Sequence, residues 1–322
     1  MLMHEFETYQ LTVIAVGAIA FGVYLLVKGG DWTVDNAILV AEKAGLSKFF
    51  IAATIVAFGT SAPELFTSIN ANLSGYPGIS VGNVIGSNIA NVLLVVAVSA
   101  MIAPLVFDHK AARVDTLVMV GATVAMVVAI LSGLLPRWGG FLMVVAIVLY
   151  IVYQYKAHKL DVPESGEDYS EGESATAPGL MLVLGIGTLL VGSEILVQGA
   201  VAGGVALGVP EAVIGMTMIA FGTSLPELTA CVAAARKNHS DLIIGGIVGS
   251  NIFNILSVMA FSAIAKPLLI DSRFISFDMP VVVAVTMLFA FLLLFVGKIG
   301  RVTGAAMAVG YLLFLGIQFF VI

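Results

Sequence analysis

Cysteine, histidine, tryptophan and charge are all scarce in this chain of 322 residues. Cys231 is the only cysteine, so an internal disulfide framework is excluded and the redox compartment stays open. The four histidines, His4, His109, His158 and His239, fall in termini or between apolar runs, which leaves no histidine relay and no soft-metal cluster. Charged residues make up 11% of the chain, against about 25% in soluble domains. The 14 lysines and arginines are spread thinly, so no basic face exists for nucleic acid. What remains is 60% hydrophobic, with a mean hydropathy of +1.09. The composition is that of an integral membrane protein whose first partner is the lipid bilayer. Glu5 and Glu7 precede the first basic residue, Lys28. The start of the chain therefore lacks the basic region of a signal peptide, and its first apolar run is expected to be a retained helix.

Apolar runs near the ~20 residues needed to cross a bilayer divide the chain into ten segments. In the first half they are 10–28, 49–73, 79–103, 116–134 and 138–155; in the second, 179–198, 212–235, 242–265, 279–297 and 303–321. Open strands would leave backbone groups unpaired in lipid, so the segments are expected to be helices and the fold all-α. The domain reading is 1–155 as a first repeat, 156–178 as a linker and 179–322 as a second repeat. Five segments per repeat is an odd number, so the second repeat must enter the membrane from the opposite side. Of the 14 basic residues, 11 lie in connections 1–2, 3–4, 5–6, 7–8 and 9–10; only Arg137, Lys266 and Arg273 lie elsewhere. The positive-inside rule then places those connections in the cytoplasm and both termini outside. The linker carries Asp161, Glu164, Glu167, Asp168, Glu171 and Glu173 among Ser, Gly and Pro, a composition for a solvated tether without calcium-loop spacing.

The chain also repeats itself. Gly59-Thr60-Ser61-Ala62-Pro63-Glu64 returns 163 residues later as Gly222-Thr223-Ser224-Leu225-Pro226-Glu227. Gly86-Ser87-Asn88-Ile89-Ala90-Asn91 returns at the same offset as Gly249-Ser250-Asn251-Ile252-Phe253-Asn254, and residues 51–94 align without a gap on 214–257 with 18 identities in 44 positions. Proline lacks an N–H and clashes with the carbonyl four residues back, so Pro63 should free the carbonyl of Gly59, and Pro226 that of Gly222. Helices broken in this way at the membrane midplane are tolerated where they line a cavity or are packed in protein, and their freed ends hold cations in transporters. The side chains at the break are hard oxygen donors. Thr60 and Glu64 share a helix face beside Ser61, Ser87 and Asn91 share another, and Thr223, Ser224, Glu227, Ser250 and Asn254 repeat the set. Calcium takes six to eight such oxygens, and two glutamates match its charge.

Each feature also has a plainer reading. Proline and glycine can serve packing, and Ser87 or Ser250 can join helices by hydrogen bonds. Asn88 and Asn251 point away from the shared face, where packing or capping suits them better. Asp31 and Glu194, also related by the 163 offset, read as interface anchors near helix ends. The glutamates resist the plainer reading. An acid at a helix centre costs about 2.5–3.5 kcal/mol on insertion, so Glu64 and Glu227 together would burden the fold by roughly 5–7 kcal/mol without a function.

The paired motifs and the ten-segment layout resemble the two repeats of the sodium/calcium exchanger family. That resemblance implies a prokaryotic-type antiporter without a regulatory domain, with cation sites between helices 2, 3, 7 and 8. Glu64 and Glu227 would be shared ligands of Ca²⁺ and Na⁺, Thr60 and Thr223 would give backbone carbonyls, and Ser61, Ser224, Ser87 and Ser250 hydroxyls. Asn91 and Asn254 complete the set, and Ala57 and Ala220, one turn earlier, would offer carbonyls to sodium sites. Some relatives carry an acid at the position of Asn254. Here both amides are neutral, so the site has two formal charges and potassium co-transport gains no support. The resemblance further implies that helices 1 and 6 rock against the rest, that the cell membrane is the location, and that Ca²⁺ and Na⁺ are transported ions with no cofactor. No protein partner can be inferred. Three other readings stand beside Na⁺/Ca²⁺ exchange: H⁺/Ca²⁺ antiport through the same carboxylates, a passive channel, and an intramembrane hydrolase using Ser61 or Ser224. The hydrolase lacks any general base except the glutamates, so an enzyme is not expected.

Overall fold

A computed structural model describes residues 2–109, 112–157, 176–206 and 220–320. The chain is built from helices: α1 (Leu2–Ala44), α2 (Lys48–Thr60) and α3 (Ala62–Leu73), α4 (Pro77–Ile102), α5 (Arg113–Ser132) and α6 (Arg137–Ala157). The second half gives α7 (Thr176–Ala206), α8 (Ala220–Thr223), α9 (Leu225–Arg236), α10 (Ser240–Ala265), α11 (Phe274–Val296) and α12 (Arg301–Phe320). Among the described residues eight helices are long and apolar enough to cross a membrane, and the bent pair α2 and α3 makes a ninth span. Residues 158–175 of the linker and 212–219 of the seventh segment lie outside the described residues.

Most segment bounds agree with the apolar runs, but the first does not, and the sixth, expected at 179–198, runs on to Ala206. Hydropathy ends the first at residue 28, before Asp31 and Asp35, whereas α1 continues to Ala44. A helix needs only satisfied backbone bonds, and charges on one face do not interrupt it. Asp31 and Glu194 accordingly sit inside α1 and α7, not near their ends.

Two short ladders show how the halves fit together. β1 (Leu105–Val106), after α4, pairs antiparallel with β4 (Lys298–Ile299), before α12. β2 (Leu134–Leu135), after α5, pairs with β3 (Leu268–Leu269), after α10. Left-handed Gly133 (φ 72°) and Gly297 (φ 67°) cap α5 and α11 and turn the chain straight into β2 and β4. In repeat terms β1 corresponds to β3, yet β1 pairs with the counterpart of β2. A loop of one half thus shares a rim with the opposite loop of the other half, and the two repeats run through the fold in opposite senses.

The core lies where α2, α4 and α10 cross, around residues such as Ile51, Ile85, Ile89, Ile243 and Ile247. An 18-residue stretch of α10 is wholly buried, which makes it the central post. α1 and α7 pack side by side along the outside. Gly22 and Gly192 let their backbones touch, since a Cβ on Gly22 would lie 2.7 Å from the Leu196 backbone nitrogen. Lys237, in the turn after α9, ties α1 to that rim through Asp35 at 2.6 Å and Asp31 at 3.8 Å.

Candidate functional site

Both helix breaks fall where the prolines put them. Ser61 has φ −82° and ψ 8°, and Ser224 has φ −87° and ψ 2°, so the chain leaves helical geometry at the same motif position in each half. Pro63 and Pro226 then sit in the first turn of α3 and α9, where the missing N–H costs nothing. The bend between α2 and α3 is 42°. The carbonyl of Gly222, expected to be freed by Pro226, accepts a hydrogen bond from Ser193 Oγ at 2.7 Å. Ala57 O, expected to be available to a cation, already accepts Ser61 N–H at 3.0 Å and Thr60 Oγ1–H at 3.4 Å. A carbonyl has two lone pairs, so those bonds constrain its role as a ligand. Ala220 lies in α8.

The breaks bring the two motifs face to face. Ser61 Oγ donates to Glu227 Oε1 at 3.1 Å, with Thr60 beside the same carboxylate. Thr223 and Ser87 stand beside Glu64, and the two carboxylates are electrostatic neighbours. Glu227 is therefore served by residues of the other repeat, whereas Glu64 has Ser87 of its own repeat beside it and Thr223 of the other. Both glutamates are almost fully buried, at 1% and 3% exposure.

The donor set is under-satisfied. Glu64 Oε2, Glu227 Oε2, Thr223 Oγ1, Ser224 Oγ, Ser250 Oγ, Asn91 Oδ1 and both polar atoms of Asn254 are buried without a protein partner. Burying such atoms unpaired is costly, and they make up most of the unpartnered buried side-chain atoms among the described residues. A small cavity of about 30 Å³ reaches this set, lined by Glu227, Thr60, Ser250, Thr33 and Cys231. It extends toward the rim that carries Lys237.

On the partner helices the second motif leads into a widened turn. Asn91–Val96 in α4 and Asn254–Met259 in α10 are π-helical, at the same 163-residue offset. Such bulges recur at functional sites because they redirect side chains. The halves differ in packing: Gly86 has open space, whereas a Cβ on Gly249 would lie 2.3 Å from Ala53 O. α10 therefore presses directly on the backbone of α2.

Several polar residues of this region escaped the sequence reading. Asn251, expected to pack or cap, accepts a hydrogen bond from Asn91 Nδ2 of the other repeat at 3.0 Å. Asn83 donates to Glu64 O at 3.2 Å and Ser68 Oγ at 2.9 Å. Away from the glutamates, Asp115 is fully buried and accepts from Tyr150 Oη at 2.5 Å and from Gln154. Asp278 and Gln318 repeat that contact in the second half. The 163-residue offset links Asp115 to Asp278 and was the signal available for finding them.

Fold and site together define a membrane protein of two related halves with an oxygen-rich interior between them. The family model described as sodium/calcium exchanger protein matches residues 14–156 and 178–320, and the chain belongs to that family. It is 34% identical to the putative antiporter CaxA of Alkalimonas amylolytica, covering 95% of this chain and 98% of the relative. It is 30% identical to the sodium/calcium exchanger MaX1 of Methanosarcina acetivorans, over 93% of this chain and 97% of that protein. Among solved structures, the sodium-calcium exchanger NCX_Mj soaked with zero Na⁺ and Ca²⁺ superposes with a TM-score of 0.84 at 32% identity, covering 95% of this chain and 99% of that one.

Proposed function

We propose that this protein is a secondary antiporter, not an enzyme, exchanging Na⁺ for Ca²⁺ by alternating access and exporting Ca²⁺ from the cell. The observation that carries the reading is the meeting of Glu64 and Glu227 from opposite halves, each beside hydroxyls of the other, amid buried oxygens with no protein partner. Two carboxylates neutralise one Ca²⁺, and the neutral oxygens around them suit a hard cation. Thr60, Ser61 and Ser87 with Thr223, Ser224 and Ser250 supply the surrounding oxygens, Asn91 and Asn254 the amides, Ala57 and Ala220 carbonyls at the edges. One set of oxygens serves both ions, so Na⁺ on one face displaces Ca²⁺ to the other. Ten spans, broken near the midplane, would form the two inverted repeats 1–155 and 179–322, joined by a cytoplasmic linker at 156–178. Both termini would face outside the cell membrane.

The family match and the likeness to NCX_Mj support sodium as the coupling ion. Proton exchange through the same two neighbouring carboxylates is the competing reading. ⁴⁵Ca²⁺ uptake into proteoliposomes, under separately imposed Na⁺, K⁺ and H⁺ gradients, decides between them. Uptake should follow an outward Na⁺ gradient and vanish in Glu64→Gln and Glu227→Gln. Uptake driven by a pH gradient in sodium-free buffer would favour protons, and unchanged uptake in both variants would remove the site.

A further inference from the structure

We propose that Met119 and Asn251 are positioning residues that fix which way the Asn91 amide faces, so that its oxygen is presented to the transported cation. The inference rests on the cation-site reading above and adds residues outside it.

The argument runs through hydrogen-bond polarity. A thioether can only accept, so the group that Asn251 turns toward Met119 must be its NH₂. Asn251 Nδ2 does lie 3.9 Å from Met119 Sδ. Its oxygen is thereby directed the other way, where it accepts from Asn91 Nδ2 at 3.0 Å. With its own NH₂ engaged, Asn91 is left with Oδ1, which is buried and has no protein partner. Asn91 lies one helical turn from Ser87, which stands beside Glu64. Met119 is fully buried, and Asn251 and Asn91 are each 1% exposed, so water does not compete for these bonds. An acceptor-only sulfur on α5 thus sets the polarity of two amides in succession and ends with an oxygen available for a cation.

The second half supplies the contrast. Val282 stands at the position equivalent to Met119 and offers no acceptor. Asn88, equivalent to Asn251, donates to Val84 O of its own helix at 2.7 Å. Asn254, equivalent to Asn91, has neither amide atom partnered. The amide is oriented in one half only.

A double-mutant cycle tests this, read as Ca²⁺ binding to the purified full chain through Ca²⁺-dependent thermal stabilisation and calorimetry. Met119→Leu keeps volume and removes the acceptor; it should weaken Ca²⁺ binding about fivefold, the scale of one ordinary hydrogen bond. In an Asn91→Asp background the same change should have no further effect, because a carboxylate presents an oxygen whichever way it turns. Met119→Val, which imports the residue found at position 282, should behave as Met119→Leu does. Equal weakening in both backgrounds would make Met119 a packing residue, and absence of weakening, or loss of Ca²⁺ binding by Asn91→Asp alone, would also overturn the proposal. Retained Ca²⁺ binding in both Glu64→Gln and Glu227→Gln would instead remove the underlying site.

Discussion

Ser61 of the first repeat donates its hydroxyl to Glu227 of the second at 3.1 Å, so the second half does not complete its own carboxylate site. The counterpart hydroxyl of Ser224 has no protein partner, and the two halves are therefore chemically alike but differently engaged.

Removing that hydroxyl should cost ion affinity and spare the fold. A hydrogen bond to a charged group contributes about 1.5–3 kcal/mol, so Ser61→Ala should raise the Ca²⁺ concentration for half-maximal flux by roughly tenfold or more. Flux titration in proteoliposomes reads it; a normal half-maximal concentration would mean the bond is incidental.

Two glycines at the same motif position should tolerate alanine very differently. Gly249→Ala drives a Cβ to 2.3 Å from a backbone oxygen of α2, while Gly86→Ala meets open space. Overpacking costs about 1–3 kcal/mol where neighbours can shift, and backbone shifts least easily. Thermal unfolding in detergent should show Gly249→Ala markedly destabilised and Gly86→Ala close to the parent. Similar midpoints for the two would contradict the contact between α10 and α2.

Cys231 provides a native reporter, because it lines the same small cavity as Glu227 and is the only cysteine. The cavity runs toward the rim where Lys237 holds Asp35 and Asp31 of α1. These charges are 30–56% exposed, and such pairs contribute about 0–1 kcal/mol. Lys237→Gln should raise the rate of Cys231 modification by a small thiol reagent by no more than about fivefold. High salt, which screens exposed charges, should narrow the difference. Mass spectrometry follows the reaction, and a rate unaffected by either change would show that the ion pair does not guard the cavity.

Tyr150→Phe should separate stability from transport. Tyr150 bonds to the buried Asp115 at the end of the fold where α5 begins and α6 finishes. Losing that donor should lower the detergent unfolding temperature by an amount equivalent to about 1–3 kcal/mol, with half-maximal Ca²⁺ unchanged. A shift in ion affinity without loss of stability would contradict the assignment.

The glutamates, their hydroxyl neighbours and the duplication were legible because each is local: a motif, a spacing, a repeat offset. Proline signals a break in each motif, expected through the carbonyls of Gly59 and Gly222, and the structure sets the departure from helical geometry at Ser61 and Ser224. The partner of Asn251 was hidden for a related reason. Helical periodicity reports which face of its own helix a residue shares, and the partner of Asn251 is Asn91, on another helix in the other repeat. The length of α1 was hidden as well, since hydropathy registers Asp31 and Asp35 as an end while the backbone continues to Ala44. Crossing of the motifs, with Glu227 served by Ser61 of the opposite half, is a property of three-dimensional docking and has no trace in either copy alone.

The two ladders act like hoops on a cask. Each stitches a loop of one repeat to a loop of the other at one rim, and between them they fasten the ends of α4, α5, α6, α10, α11 and α12. α1 and α7 carry no strand and stand outside the hoops as a paired sash. Neither ladder passes through that pair. Among the described residues its polar ties to the rest include Ser193 on Gly222, Glu42 on Lys48, and the Asp31 and Asp35 carboxylates on Lys237. The hoops therefore hold the vessel without gripping those two staves.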